Sequence, residues 1–543
     1  MVMFTIRVLL DCNYKEGIFL PKQYKYMKTR FFSSFILSTA LITLQAQAPN
    51  IQWQNSFGGT TFEYASDVLQ TNDGGYLVVG SSGSNDGDIG ANNGGTDVWV
   101  VKLNAAGALD WEATYGGSDD EQGFKASEIP GGFLIAGETR SNDGDVTGNH
   151  GEKDAWVFAI DSIGTLLIQK TFGGTQWESF QDIKATSDGG SIAIGFSESN
   201  NGDLTTNNGL VDVWVVKLDD NIEIEWQKSF GGSNDDIGEA IVETADGDLI
   251  FSARSRSNDG DVSGNHAPST DDFWTVKLDV VGNVIWQTAN GGALGEHPRS
   301  LVMTDDGGCQ VLGSAGSNDG DVSSNPGFPA SMLWLIKLDQ NGSLEWEATY
   351  GGTAIDQGYD MDIASNGDLL IVGGTNSADG DVSSNNGSQD LWALRTDMQG
   401  VLLWETALGG SAWDGGFGMN IGVDQQMIVV GSSSSNNGDV TGNNGNEDVW
   451  VAKLEADAVG ISEENPAYFS IHPNPSSGIL RLELLEAGRN NEMILADAFG
   501  RNIMAQQMHD RSIVLDLSEF AKGIYIVTMR GDDGVWSKRL VLE

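Results

Sequence analysis

Three groups of residues in this chain have types and spacings that could do chemistry. The first is a recurring acidic loop. In Ser141-Asn142-Asp143-Gly144-Asp145-Val146, followed by Asn149 and Asp154, oxygen-bearing side chains alternate around a glycine bend. Such alternation suits a hard cation, and Ca2+ is the cofactor it points to. The candidate ligands are the pairs Asp86/Asp88, Asp143/Asp145, Asp259/Asp261, Asp319/Asp321 and Asp379/Asp381. The same residues also suit a turn network, because Asn and Asp bond local backbone and Gly permits the bend. Asn201 and Asn437 replace the first Asp in two copies, and Met332 replaces the late Asp in another. That tolerance fits turns better than strict metal sites.

The second group breaks the repeat. Three residues after a Gly-Gly pair most copies carry a small or polar residue, but three carry Phe62, Trp177 and Trp413. Exposed aromatics flanked by Asp and Asn suit stacking on sugar rings, and the competing role is to plug the inner rim of a ring-shaped fold. The third group is Glu296 with His297, the least repetitive polar pair. No catalytic residue is assigned. The chain shows no nucleophile elbow, metal-binding His pair or phosphate loop. A glycosidase-type carboxylate pair should be unique, whereas these acids recur throughout.

The elements that must position these residues are short strands. Gly-Gly recurs at Gly58, Gly116, Gly173, Gly231, Gly291, Gly351 and Gly409, at intervals of 57 to 60 residues. Each unit also carries Gly-Asp, and one Trp on an apolar run: Trp99, Trp156, Trp214, Trp274, Trp334, Trp392 and Trp450. These Trp are expected in the core. A second Trp recurs at Trp53, Trp111, Trp226, Trp286, Trp346 and Trp404, and the alignment sets Gln169 in the remaining place. One unit reads as four strand-like runs, as in Gly123–Glu128, Gly132–Glu138, Ala155–Ile160 and Leu166–Thr171. Seven such units spell an all-β fold, a seven-bladed β-propeller over residues 51–454. The array opens on a lone fourth strand, Ile51–Phe57, and ends on a unit without one. The first segment therefore completes the last blade and removes an open edge.

Net charge is −48, and residues 1–48 contribute six basic and two acidic side chains, so the remainder carries −52. That surface repels nucleic acid phosphates and anionic lipid. Lys28 and Arg30, an apolar run from Phe31 to Leu44, and Ala46-Gln47-Ala48 read as a signal peptide over 27–48. Residues 1–26 then read as an extension upstream of the true start at Met27. The apolar run is short for a membrane span, and no later segment is long enough. Beyond the signal only Cys309 remains, so no internal disulfide forms and a monomer held by packing is expected.

After Leu454 the repeat stops. Residues 455–466 read as an acidic linker, and 467–543 change in character. The segment carries Pro473-Asn474-Pro475 with Gly478, then Gly500-Arg501, then Gly523-Ile524-Tyr525, and a basic-apolar terminus at Lys538. This order of motifs closely resembles the type A C-terminal sorting domain of the type IX secretion system. The resemblance implies a small β-sandwich, engagement with that machinery, and delivery to the medium or outer surface of a Gram-negative cell. The upstream repeats resemble secreted bacterial propeller repeats, through turns such as Asp339-Gln-Asn-Gly342 before Trp346. That likeness implies a fold and no activity. The functional expectation is an exported binding or adhesion module for glycans or proteins. The alternative is a secreted carbohydrate-active enzyme, a hydrolase or lyase, on the same scaffold.

Overall fold

The computed structural model describes residues 48–456 apart from 268 and 269. Beyond these it describes 469–476, 478–484, 491–497, 502–508, 511–518, 520–531 and 534–542. The expected upstream extension, all of the expected signal but Ala48, most of the linker and Gly500-Arg501 lie outside the described residues.

The repeat region folds into seven four-stranded antiparallel sheets. Blade 1 runs through Glu63–Gln70, Tyr76–Ser82, Asp97–Leu103 and Leu109–Tyr115. Blades 2 to 6 span 121–172, 178–230, 236–290, 296–350 and 356–408 in the same order. Blade 7 joins Asp414–Ile421, Met427–Ser433 and Asp448–Leu454 to the N-terminal strand Ile51–Phe57. First strands of adjacent blades pack on one another, and blade 7 packs on blade 1, so the sheets close into a ring with the first strands innermost. The register Ile51↔Leu454 to Phe57↔Val449 joins the ends of the array.

The first Trp set forms the core, as expected, with each ring fully buried. Trp99 packs with Val78 and Val101 of its own blade and with Val430 and Val451 of blade 7. A buried indole N–H needs an acceptor. Each finds one on the neighbouring fourth strand at 2.8–2.9 Å: Glu112, Gln169, Gln227, Gln287, Glu347, Glu405 and, for Trp450, Gln54. The last of these spans the ring closure.

These bonds correct the alignment of the second Trp set. Trp111 pairs with Lys102, and the residue in that place in blade 2 is Ile168, paired with Ala159. Gln169 aligns with Glu112 instead. The offset has a partner one blade on. Gly107, Gly164, Gly282, Gly342 and Gly400 turn at positive φ against the ring of Trp53, Trp111, Trp226, Trp286 and Trp346, where a Cβ would lie 2.6–3.0 Å from the indole. Blade 3 carries Ile222 at this turn, buried and at φ 58°, where the position equivalent to the Trp on blade 2 is Ile168. By position, Ile stands for both the Gly and the Trp of the other pairs.

Every innermost strand contains a β-bulge at one position, between Ala65 and Asp67 in blade 1 and equivalently in the other six. A bulge re-aims the side chain it carries. The C-terminal region forms a three-stranded sheet (Phe469–His472, Ile479–Leu484, Ser512–Asp516) and a four-stranded one (Asn502–Met508, Asn491–Asp497, Gly523–Gly531, Gly534–Leu542). They share a core that includes Phe469, Leu482, Val527 and Leu540, as in a small sandwich.

Candidate functional site

The Gly-Gly crossovers and the loops between second and third strands meet on one face of the ring. The acidic loop residues are bound there by backbone amides. The first Asp of each pair accepts the amide two residues beyond the preceding Gly: Asp86 from Thr60 at 2.9 Å, Asp143 from Ser118 at 2.7 Å, and Asp259, Asp319 and Asp379 likewise. Asn201 and Asn437 accept the same amide at 3.0 and 2.8 Å, which explains the tolerance to Asn. The second Asp accepts the first Gly amide, at 3.1 Å for Asp88 and Asp381 and 3.3 Å for Asp145, Asp261 and Asp321. Among the described residues no group of three or more His, Cys, Asp or Glu side chains is arranged to hold a metal ion. The loop aspartates do not fit a ready-made Ca2+ cage; they latch the loop to the crossover.

Beneath the latch lies a feature the motifs did not show. The first residue of each innermost strand is a buried carboxylate, Glu63, Glu121, Glu178, Asp236, Glu296, Asp356 or Asp414. Each accepts the second Gly amide of its crossover, as Glu121 does from Gly117 at 2.7 Å. Facing it across the blade junction is the buried Asp that opens the previous third strand: Asp97, Asp154, Asp212, Asp272, Asp390 or Asp448, with Met332 at the remaining junction. In all six the Oδ1 atom is buried without a hydrogen-bond partner. A Cβ on Gly116 would lie 2.5 Å from both Asp97 Oδ1 and Glu121 Oε2. Burial, followed by the neighbouring carboxylates, pushes Asp97, Asp212, Asp390 and Asp448 up to about 6.

Glu296 belongs to this structural set. Burial raises it to about 7, and its oxygens accept Gly292 and Ser317 amides at 2.9 and 3.1 Å. It is therefore not the repeat exception that the sequence suggested. Only His297 departs from the repeat, and it reaches the mouth of the ring.

The side chains that differ between blades gather at that mouth. At the bulge the seven blades carry Ser66, Phe124, Gln181, Glu239, Arg299, Tyr359 and Phe417. Two residues nearer the mouth they carry Tyr64, Gln122, Ser179, Ile237, His297, Gln357 and Gly415. Blades 6, 7 and 1 present aromatics, and blade 2 adds Phe124 at its bulge. Phe62 stacks on Tyr64 with ring planes 4° apart, and the two are 46% and 44% exposed. Trp413 lies 6.0 Å from Phe417, which meets Tyr359 edge-on at 5.1 Å, and Trp413 Nε1 donates to Gln389 at 2.7 Å. Trp177 stands apart on blade 3. Its ring is 37% exposed, covered by Lys153 at 4.7 Å and tied by Nε1 to Glu138 at 2.9 Å.

Blades 4 and 5 present charge. Arg256 pairs with Asp235 at 2.9 Å and Asp271 at 3.0 Å, and His297 Nε2 lies 3.1 Å from Asp271. Burial alone would raise Asp271, but the His297 and Arg256 contacts outweigh it and hold the carboxyl below the usual range. Glu239 pairs with Arg254 at 3.2 Å and Arg299 at 3.0 Å. Deeper, Lys125 of blade 2 bonds Asp67 of blade 1 at 3.0 Å and Asp360 of blade 6 at 3.2 Å. A lysine joining blades 2 and 6 crosses the axis, so it obstructs the channel below the mouth.

In the C-terminal region, Asn474 Oδ1 accepts the Val541 amide at 2.9 Å, and Tyr525 Oη donates to Ala521 at 2.7 Å. Lys538 lies 5.9 Å from the Phe469 ring. The Pro-Asn-Pro turn and the terminal strand are thus joined in one fold.

Ring and tail together define a seven-bladed β-propeller carrying an export tag. Residues 470–543 match the family described as a secretion system C-terminal sorting domain. The chain carries a type IX sorting domain, engages that secretion machinery, and is secreted or held at the outer surface of a Gram-negative cell. No curated protein matches the chain in sequence. Similar solved structures include PorZ, a surface component of the type IX system of Porphyromonas gingivalis (10% identity, TM-score 0.37, covering 90% of this chain). The chain spans 60% of the PorZ length. Others are the WD40 domain of Neurospora crassa Pan2 (9% identity, TM-score 0.42, covering 76% of this chain and 99% of that one) and YCF48 bound to a D1 peptide (10% identity, TM-score 0.39, covering 78% and 100%). Likeness at this level says nothing about a ligand.

Proposed function

We propose that the protein is an exported glycan-binding module whose binding face is the propeller mouth. The observation that carries this reading is the placement of the repeat-breaking aromatics. Phe62, Tyr64, Tyr359, Trp413 and Phe417 fall on three consecutive blades, on the face where the blade-to-blade differences collect. Between latched loops the backbone is uniform, so these side chains are the variable part of an otherwise repeated surface. Parallel and edge-on aromatics beside polar loops offer flat apolar faces to the C–H face of a sugar, with amides and carboxylates beside them for its hydroxyls.

The test is a glycan array probed with the mature full-length protein and two variants, Phe62→Ala/Tyr64→Ala and Trp413→Ala. A stacking contact of about 1–1.5 kcal/mol predicts a loss of about tenfold in affinity for each, with unchanged melting temperature for the exposed pair. Retained binding in both variants would overturn the aromatic platform.

A further inference from the structure

A second repeat exception lies at the junction of blades 3 and 4, and the inference drawn from it rests on the glycan reading above. A polar cleft opens there on the mouth face, lined by Gln176, Glu198, Asn200, Asn207, Leu210 and Asp235. Two of these residues, Glu198 and Leu210, depart from what the other blades carry, and a third, Asn200, is left without a bond.

Glu198 follows the second strand of blade 3. The other blades place Gly83, Arg140, Arg256, Gly316, Asn376 and Ser434 there, so this is the one carboxylate at that position. Its backbone is bonded to Trp177 and to the Gln176 side chain. Among the described residues its carboxylate has no hydrogen-bond or ion-pair partner. It is half-buried, and burial followed by the charges of Glu178, Glu152 and Asp235 raises its pKa. Asp235, by contrast, is held by Arg256.

Asn200 is free for a related reason. In blades 2, 4 and 7 the same Asn accepts a glycine amide six residues on, from Gly148, Gly264 and Gly442 at 3.0–3.2 Å. Blade 3 has Thr206 at that place, and the Asn200 amide makes no bond among the described residues. Leu210 completes the cleft as an apolar side chain left 64% exposed. An uncompensated carboxylate, a free amide and a bare leucine side by side are what folding leaves unsatisfied and a ligand could satisfy. The negative charges around Glu198 favour a cationic hydrogen-bond donor over a neutral one.

We propose that this cleft receives the ammonium group of an amino sugar within the bound glycan, with Glu198 as its counter-ion and Asn200 and Leu210 contacting the same ring. The experiment compares binding of glucosamine, N-acetylglucosamine and glucose oligomers, with a lysine oligomer as a fourth probe, at pH 6 where the amine is largely protonated. Wild type should bind the glucosamine oligomer about tenfold or more tighter than the other two sugars, the gain expected of a charge-assisted bond. Glu198→Gln should erase that preference while leaving affinity for neutral sugars unchanged. Asn200→Ala, which removes no internal bond, should reduce it partway and guards against a folding defect in the first variant. Equal affinity for the three sugars, or a preference that survives Glu198→Gln, overturns this assignment and leaves the aromatic platform standing. A wild type inert to every glycan on the array overturns the platform as well. Glu198-dependent binding of the lysine oligomer alone would show a protein ligand and overturn both.

Discussion

The junction carboxylates should make the propeller more stable in mild acid than at neutral pH. Asp97, Asp212, Asp390 and Asp448 rise from an ordinary 3.8 to about 6 because each is buried beside another buried carboxylate. The folded state therefore holds more protons than the unfolded chain between about pH 4 and pH 6. Stability falls as pH rises through that window and levels off above about 7. A shift of this size is worth about 3 kcal/mol in all, and because pH 5 already lies above the unfolded value less than half of it, about 1 kcal/mol per residue or about 4 kcal/mol for the four, falls between pH 5 and pH 8. Carboxyls held low by partners, such as Asp73, Asp188 and Asp306 at about 2, release their stabilisation only below about pH 4. Comparing pH 5 with pH 8 isolates the raised set. Urea denaturation of the mature chain, followed by Trp fluorescence, should give the higher midpoint at pH 5. Asp97→Asn should raise stability at pH 8 by about 1 kcal/mol and shrink the pH difference by as much, because the amide can donate to Glu121 where two carboxylates met. The exposed Asp110→Asn controls for general charge repulsion in so acidic a chain. A midpoint that rises from pH 5 to pH 8, or an Asp97→Asn variant less stable than wild type at pH 8, would refute the reasoning.

Ile168→Trp alone should destabilise by about 1–3 kcal/mol, since Ile222 occupies the space a turn glycine leaves elsewhere. Adding Ile222→Gly should recover about 1–2 kcal/mol in a double-mutant cycle read by thermal melts, because it restores the Gly–Trp pairing of the other blades. Chelator should leave the melting temperature unchanged within about 1 °C, as the loop aspartates are satisfied by amides and a bound, stabilising Ca2+ would raise it by mass action.

Much of the ring was legible because its markers recur at a nearly fixed interval. The Trp of each third strand, the Gly-Gly crossover and the unpaired strand 51–57 each implied the same closed array, and all three occupy the expected places. The site was legible only in part. Glu296 looked exceptional because the junction carboxylate alternates between Glu and Asp along the chain, so the repeat is one of position and not of letter. The Ile168 offset was hidden because an Ile beside a Gln gives no aromatic mark, and strand pairing was needed to set it. The bulge residues, from Ser66 to Phe417, have no type common to all seven. What they share is the extra backbone residue that turns them inward, which periodicity of two cannot reveal. The same holds for Lys125, whose partners lie on blades 1 and 6.

The strand at Ile51–Phe57 also sets an order of events. Blade 7 takes its outer strand from the start of the array, and four of the residues that share the core of Trp99 (Ile428, Val430, Val449 and Val451) come from its later strands. Until residue 454 has been made, blade 1 keeps an apolar face in water and Gln54 lacks the Trp450 indole N–H whose hydrogen bond it accepts. A chain interrupted anywhere before that point keeps an open edge, a ready target for proteases and for pairing with other chains. Closure across some four hundred residues of separation is slow by its nature, so the finished ring comes late. Only whole copies escape that vulnerability, and the joint acts as a test of completeness written into the backbone.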